Sequence, residues 1–287
     1  MKQSAEKQRL PGRCRKAVSV AAVLGLAVVL AGLAGCTKLQ ARDQLNKGVQ
    51  AYKNAKYEDA IAHFQKAVAL DPKLLNARLY LATAYAQQYI PGAETPENNQ
   101  MGQQAINEYK RVLEMDPRNT NSVKGIASLY FNMKKFDQAK EYHEKAKQLD
   151  PNDPEEYYSI GVIDWTQSYA PRQEERAKLG LKPEEPIPAK EKKVCESLRD
   201  RNLPKVNEGI ENLNKALLLR PDYDDAMAYM NLLYREKADL ECGNADARAA
   251  DLKLADDWVD KTMATKKQKA EKLAQKGAGG IVSDQPK

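Results

Sequence analysis

Apolar residues along the chain recur at the three- and four-residue spacing of amphipathic helices, and the predicted helices come in pairs. Four of the helical segments end in a proline, at Pro72, Pro117, Pro151 and Pro221. Successive prolines are 45, 34 and 70 residues apart, which is one 34-residue unit with insertions of 11, 0 and 36 residues. A period of 34 residues predicts an array of stacked helix pairs.

The second helix of each pair carries the most regular pattern. Copies of this pattern occupy residues 57–72, 105–117, 136–151 and 206–221. Ala60 and Ala67 allow a close helix crossing, and Gly48 would let the first helix of repeat one approach the second. This pattern resembles the tetratricopeptide repeat. The resemblance covers about Ala41 to Met263 and implies an all-α solenoid, a right-handed superhelix of about four to five tetratricopeptide-like helix pairs.

The resemblance also sets the expected boundaries. They are a solenoid over 41–265, inserts at 89–102 in repeat two and 167–203 in repeat four, and a mobile Lys/Gly-rich tail over 266–287. Repeat four departs from the family pattern at Asp164 and Gly209, where an aromatic residue and an alanine are usual. Its insert is rich in proline and charge, with one short helix expected over 189–201. An insert of this length is either functional or disordered.

Residues 1–35 have the composition of a lipoprotein signal peptide. Six Lys and Arg residues precede an apolar run over 17–33. The ending Leu-Ala-Gly-Cys at 33–36 resembles a bacterial lipobox, which implies cleavage before Cys36 and lipid attachment to its sulfur. Residues 36–40 would then form a short tether. The alternative is an uncleaved anchor, because the apolar run is at the short limit for a membrane span.

The formal net charge of +6 comes from the two ends of the chain. Removal of residues 1–35 leaves 40 basic against 39 acidic residues, so the mature protein is nearly neutral. Residues 261–287 hold seven Lys against two acids, and the body that remains is mildly acidic. A folded body without a basic stripe predicts no nucleic-acid partner. We interpret the Lys-rich end as a solvated segment.

Two cysteines remain once Cys14 leaves with the signal and Cys36 carries lipid. In an exported protein, Cys195 and Cys242 suggest one disulfide. The repeat geometry is expected to place them in neighbouring turns on one edge of the array. The alternative is two free thiols in mobile loops. Neither cysteine lies in a Cys-x-x-Cys pair or near a histidine in sequence, so the pattern does not favour a metal or redox site.

The sequence offers no recognisable set of catalytic residues. Both histidines, His63 and His143, fall on predicted second helices, where packing or surface roles are expected. A Ser-His-Asp set, a His-x-x-x-His pair and a glycine-rich phosphate loop are all missing from the sequence. We therefore expect a protein that is not an enzyme and uses no cofactor.

The resemblance implies that the first helices line a concave groove, with residues at i, i+3, i+7 and i+10 on its face. The candidate groove residues for a protein or peptide partner are Tyr52, Asn76, Asn121, Lys124, Phe131, Tyr158, Trp165 and Arg235. The stripe on the last first helix is Asp225, Ala228, Leu232 and Arg235. Aromatic residues would supply contact area and amides would pair with a peptide backbone. The alternative is that several of these residues pack between repeats.

Some family members hold a C-terminal carboxylate with paired Lys, Arg and Asn residues. Lys124 with Asn121 and Asn76 matches that arrangement only in part, so this specificity is not predicted. The sequence as a whole favours a membrane-anchored, periplasm-facing scaffold for a bacterial envelope complex, such as one that assembles pili, secretins or outer-membrane proteins. Thr37 after the lipidated cysteine favours the outer membrane, since Asp there is the usual inner-membrane signal. The alternative is a non-catalytic regulatory subunit of an envelope enzyme such as a cell-wall hydrolase. The sequence does not indicate an oligomeric state.

Overall fold

The computed structural model describes residues 36–182 and 185–278. Every regular element in these residues is a helix, which confirms the all-α fold class. The helices form two compact units, one that ends at Pro117 and one that begins at Arg118. The predicted signal segment over 1–35 lies outside the described residues.

The first unit is a run of antiparallel helices joined by short turns. They are α1 (36–53), α2 (Tyr57–Leu70), α3 (Leu75–Gln88) and α4 (Pro96–Met115). Helices α1 and α2 approach closely at Gly48, where an added Cβ would lie 2.4 Å from the ring of the fully buried Phe64. The predicted role of Gly48 is therefore confirmed.

Residues 36–40 are helical in the structure and do not form a separate tether. Cys36 is exposed at the first described position, and Ala41 is already fully buried. The boundary expected at Ala41 thus marks the first packed residue of α1. A group attached to Cys36 would be joined directly to the helix.

The insert of repeat two was predicted over 89–102, but the loop in the structure covers only residues 89–95. Pro96 begins α4, and the hydroxyl of Thr95 caps that helix by accepting from the backbone N–H of Asn98 at 3.2 Å. The buried Asn98 amide then fixes the loop by donating to the carbonyl oxygens of Ile90 (2.8 Å) and Ala93 (2.7 Å). The sequence places the Pro and Gly of this loop correctly and misses the capping residue that restarts the helix.

The second unit is also built of paired helices. They are α5 (Thr120–Asn132), α6 (Phe136–Leu149), α7 (Pro154–Lys178), α8 (Lys192–Leu219), α9 (Asp224–Asp239) and α10 (Ala245–Ala278). Each helix packs against the next, and α7 also contacts α9. The apolar core between α8 and α9 includes Leu198, Leu213, Met230 and Leu233.

The described part of the repeat-four insert is largely an extension of two helices, and residues 183–184 lie outside it. α7 runs on to Lys178, and α8 begins at Lys192 after a 3-10 turn at Ala189–Glu191. The short helix expected over 189–201 is thus the start of a 28-residue helix. Both extensions bury side chains, for example Arg176 and Leu198 at 1% exposure each, so they belong to the folded unit.

The predicted mobile tail begins later than expected, because α10 continues through residue 278. Lys269 forms an ion pair with Asp224 at the start of α9, which ties this part of α10 to the unit. Side chains over 266–275 are otherwise exposed, as their lysine content predicts. The remainder of the tail, 279–287, lies outside the described residues.

The two departures of repeat four from the family pattern explain each other. A Cβ on Gly209 would lie 2.9 Å from Leu233 Cδ1 and 3.1 Å from Asp164 Cβ, so a larger residue would require these side chains to shift. Asp164 is fully buried and accepts from Lys140 Nζ at 2.6 Å. Burial raises the pKa of the Asp164 carboxyl to about 6, although Lys140 opposes this shift.

Among the helices in the described part of the chain, none combines the length and the hydropathy that crossing a membrane requires.

Candidate binding groove

A cavity of about 260 Å³ opens among three first helices of the second unit, α5, α7 and α9. Helix α6 contributes one residue to its lining. The lining residues are Ser128, Phe131, Asn132, His143, Tyr158, Ser159, Val162 and Tyr229. Its position on the first helices agrees with the face that the repeat pattern assigns to a groove.

Aromatic rings form the wall of this cavity. Tyr229 of α9 stands nearly perpendicular to Tyr158 of α7, with ring centroids 5.6 Å apart and an interplanar angle of 79°. Trp165, two turns further along α7, meets the same ring at 5.5 Å and 78°. Tyr158 also packs on Tyr223 at 4.9 Å. Trp165 is not itself a lining residue, but it contacts the Tyr229 ring, and the rings of Tyr158, Trp165 and Tyr229 are hereafter the aromatic wall.

The hydroxyl groups of this wall stay protonated. Burial raises the pKa of Tyr158, and the nearby Tyr229 and Asp225 raise it further. Burial also raises the pKa of Tyr229, again with a contribution from Asp225. Each phenol is therefore neutral around pH 7 and can both donate and accept a hydrogen bond.

One lining residue of the cavity, His143, belongs to a partly buried polar network. His143 Nδ1 lies 2.7 Å from Glu156 Oε2, and both side chains are buried. Lys124 Nζ lies 3.3 Å from the other Glu156 oxygen and also pairs with Asp153. Lys124 is thus engaged within the protein, which argues against the partial match to a carboxylate-binding site.

The other predicted groove residues are not among the residues that line the cavity. In the first unit, Tyr52 packs edge-on against Tyr57 at 5.3 Å, and Asn76 is exposed on α3. In the second unit, Asn121 is exposed near the start of α5. Arg235 is exposed on α9 and donates to Asn231 and Asp256 at 2.9 and 2.8 Å.

Phe131, Tyr158 and Trp165 are the predicted residues that the structure brings together. Phe131 and Tyr158 line the cavity, and Trp165 completes the aromatic wall. Tyr158 and Trp165 also pack against the apolar core, so the alternative packing role applies to them as well. Alanine at these positions would therefore change stability together with binding.

The sequence pattern missed Tyr229, which lies one position after the predicted stripe residue Ala228. The predicted stripe takes the residue at i+3 from Asp225, which is Ala228. The residue at i+4 is Tyr229. Both steps lie on one face of a helix. The aromatic character of residue 229 was the signal that could have decided between them.

A second polar feature was also missed, a buried stripe along α7. Its members recur every four residues and are at most 6% exposed: Asp164, Ser168, Arg172 and Arg176. Arg172 donates to both carboxylate oxygens of Glu236 at 2.6 Å and to Asp239 Oδ2 at 2.5 Å. Burial raises the pKa of Glu236 and of Asp239 despite these arginines.

The structure brings Cys195 and Cys242 together at disulfide distance, with Cα atoms 5.4 Å apart, as the sequence predicts. Their surroundings differ from the expectation of two neighbouring turns. Cys195 is a buried residue of α8, and only Cys242 lies in a turn, after α9. The backbone of Cys242 has a φ of 49°, in the left-handed region that side chains seldom adopt.

Comparison with known proteins identifies the repeats. Models of the tetratricopeptide repeat match residues 41–74 and 99–160. The chain thus contains tetratricopeptide repeats over these residues. The tetratricopeptide repeat resemblance stated from the helix-pair pattern is thereby confirmed.

Solved structures agree with this tetratricopeptide repeat fold. The crystal structure of a MamA protein is 14% identical with a TM-score of 0.54, and the match covers 86% of this chain and 98% of MamA. MamA from Desulfovibrio magneticus RS-1 is 15% identical with a TM-score of 0.53, and the match covers 80% and 96%. At this identity the likeness establishes the solenoid fold alone.

Curated relatives match a smaller part of the tetratricopeptide array. The Hsp70-Hsp90 organizing protein of Triticum aestivum is 28% identical over 115 residues, 40% of this chain. The Hsp70-Hsp90 organizing protein 2 of Arabidopsis thaliana is 28% identical over 113 residues, 39% of this chain. The match spans 18% of each relative's length. Tetratricopeptide repeat proteins are generally non-catalytic, so the fold indicates protein–protein interaction.

Proposed function

We propose that this protein is a lipid-anchored, periplasm-facing interaction scaffold of a bacterial envelope complex. Its partner is a protein that inserts a peptide segment or a helix into the cavity of the second unit. The observation that carries the proposal is the cavity itself, which opens on three first helices and is lined by aromatic and small polar side chains. Assembly of a pilus, a secretin or outer-membrane proteins is the proposed setting.

The size of the cavity favours a protein partner. Sites for small molecules usually enclose about 300–1,000 Å³ and bury most of the ligand. A volume of about 260 Å³ suits one or two side chains of a larger partner. Half-buried aromatic residues are also the side chains that contribute most to binding energy at protein interfaces.

The anchoring proposal rests on the sequence at 33–36 and on the exposed thiol of Cys36. Because α1 is helical from that position, lipid on Cys36 would hold the first unit close to the membrane surface. At a rise of about 1.5 Å per residue, the buried Ala41 would lie within about 8 Å of the attachment point. Thr37 favours the outer membrane as the anchoring site.

Replacing Cys36 by Ser is expected to abolish lipidation and signal cleavage, because the sulfur is the only acceptor for the diacylglyceryl group. The measurement is incorporation of labelled palmitate in cells, with the precursor and mature forms resolved by mass. Cys14→Ser is the matched control and should label like the parent protein. Equal labelling of Cys36→Ser and the parent would contradict the lipid anchor.

A further inference from the structure

We propose that the cavity of the second unit accepts the side chain of a lysine or arginine from an extended peptide of the partner. This inference rests on the proposed interaction function and names the chemistry of what enters the groove. Its basis is the juxtaposition of the aromatic wall with the carboxylate of Asp225, which lies one helical turn before Tyr229 on α9.

Asp225 lies next to the aromatic residues of the cavity, although it is not itself a lining residue. It is exposed on α9, one helical turn before Tyr229, and its charge acts on both Tyr158 and Tyr229. Within the described residues, no hydrogen bond or ion pair holds its carboxylate. A neutral or acidic ligand would bury this carboxylate without a partner, which is costly.

Taken together, the charged side chains near the cavity favour a cationic ligand. Two groups of ion pairs lie near the start of α7, Lys124 with Asp153 and Glu156, and Arg220 with Glu155. With Asp225 added, these groups hold four carboxylates and two basic side chains, besides His143 on Glu156, and in the described part of the chain Asp225 is the carboxylate without an ion pair among them. Both cations are already held in ion pairs, so neither is offered to an acidic ligand.

The aromatic wall supplies the second half of the site. Two rings stand nearly perpendicular to that of Tyr229, at 79° for Tyr158 and 78° for Trp165. Aromatic residues grouped in this way attract cations through the negative faces of their rings. The apolar stem of lysine or arginine would pack along the rings while the charged end meets Asp225.

Small polar groups complete the requirements for an extended peptide. Ser128 and Ser159 line the cavity from α5 and α7, and the phenol hydroxyls remain neutral. These groups can pair with the backbone of the segment that carries the basic residue. Phe131 and Val162 provide apolar contact for its neighbouring side chains.

The test uses the full mature chain and synthetic nine-residue peptides of Gly, Ser and Tyr that differ only at the central residue. The central residue is Lys, Arg, norleucine or Glu, and binding is measured by fluorescence anisotropy at low and high salt. We expect Lys and Arg peptides to bind about tenfold more tightly than norleucine peptides, with Glu peptides weakest. The preference should shrink as salt screens the charge.

Variants of Asp225 and Tyr229 test whether the preference for basic peptides arises at this cavity. Asp225→Asn should remove most of the preference for Lys over norleucine, whereas Asp260→Asn, an equal charge change on α10, should retain it. Tyr229→Leu should weaken Lys binding, and Tyr229→Phe should preserve it because the ring remains. Circular dichroism of each variant checks that the helices are intact.

The outcomes separate the two proposals. If norleucine peptides bind as well as Lys peptides and Tyr229→Leu weakens both, the groove binds peptides and the basic specificity is wrong. If no peptide binds, the basic specificity is again wrong and a peptide-binding groove loses its support. An unchanged Lys preference in Asp225→Asn would overturn the role of that carboxylate.

Discussion

Reduction of the Cys195–Cys242 disulfide is expected to lower the free energy of unfolding of the second unit by about 4 kcal/mol. The bond closes a loop of 47 residues and links the start of α8 to the turn after α9. It therefore joins the extension that replaces the expected loop to the C-terminal helix pair. The chain-entropy account of disulfides predicts a large effect for a loop of this length, reduced by any strain in the folded state.

Urea denaturation followed by circular dichroism, with and without reductant, measures this loss. The Cys195→Ala/Cys242→Ala variant should unfold at the midpoint of the reduced parent protein and should not respond to reductant. Non-reducing peptide mapping of protein from the periplasm should yield one linked peptide. Two alkylatable thiols under denaturing conditions, with no linked peptide, would refute the bond.

Replacing Arg172 by Met is expected to cost about 3–5 kcal/mol of stability. Arg172 forms a bidentate ion pair with Glu236, and the two side chains are 7% and 3% exposed. Methionine keeps much of the volume but leaves the Glu236 carboxylate buried without its partner. Breaking one side of a buried ion pair is costly because the remaining charge stays desolvated.

A matched control separates burial from charge. Arg220 pairs with Glu155 at 2.6 Å on the surface, where the side chains are 39% and 49% exposed. Arg220→Met should therefore cost less than about 1 kcal/mol in the same urea experiment. The double variant Arg172→Met/Glu236→Met should recover part of the loss, since the Glu236 carboxylate is gone and Asp239 keeps its ion pair with Arg176 at 3.0 Å. Equal losses for the two single variants would show that burial of the Arg172 pair is not what matters.

The fold was predictable because its unit repeats. The spacing of prolines and of small residues such as Gly48 and Ala60 reflects close helix contacts that every copy must make, so one pattern predicts several helices. The candidate site depends on finer detail. Phe131 and Tyr158 were found from the stripe, but Tyr229 was missed because three- and four-residue steps share a helix face.

The insert of repeat four shows why the sequence pattern did not predict the extensions of α7 and α8. Its helices are held by buried polar side chains, chiefly Arg172 and Arg176, which look like a solvated face in a hydrophobicity pattern. Their partners Glu236 and Asp239 lie more than 60 residues away in sequence. No signal in the neighbouring sequence indicates such pairs. The sequence alone therefore cannot decide whether the insert is ordered or disordered.

Site-specific photocrosslinking in cells tests most directly whether the cavity binds a protein. A benzophenone amino acid replaces Ser128, an exposed lining residue on α5, or Glu141, an exposed control residue on the second helix α6. The account predicts a discrete adduct with an envelope protein from position 128 that is missing from position 141. No adduct at position 128, or the same adducts at both positions, would contradict it.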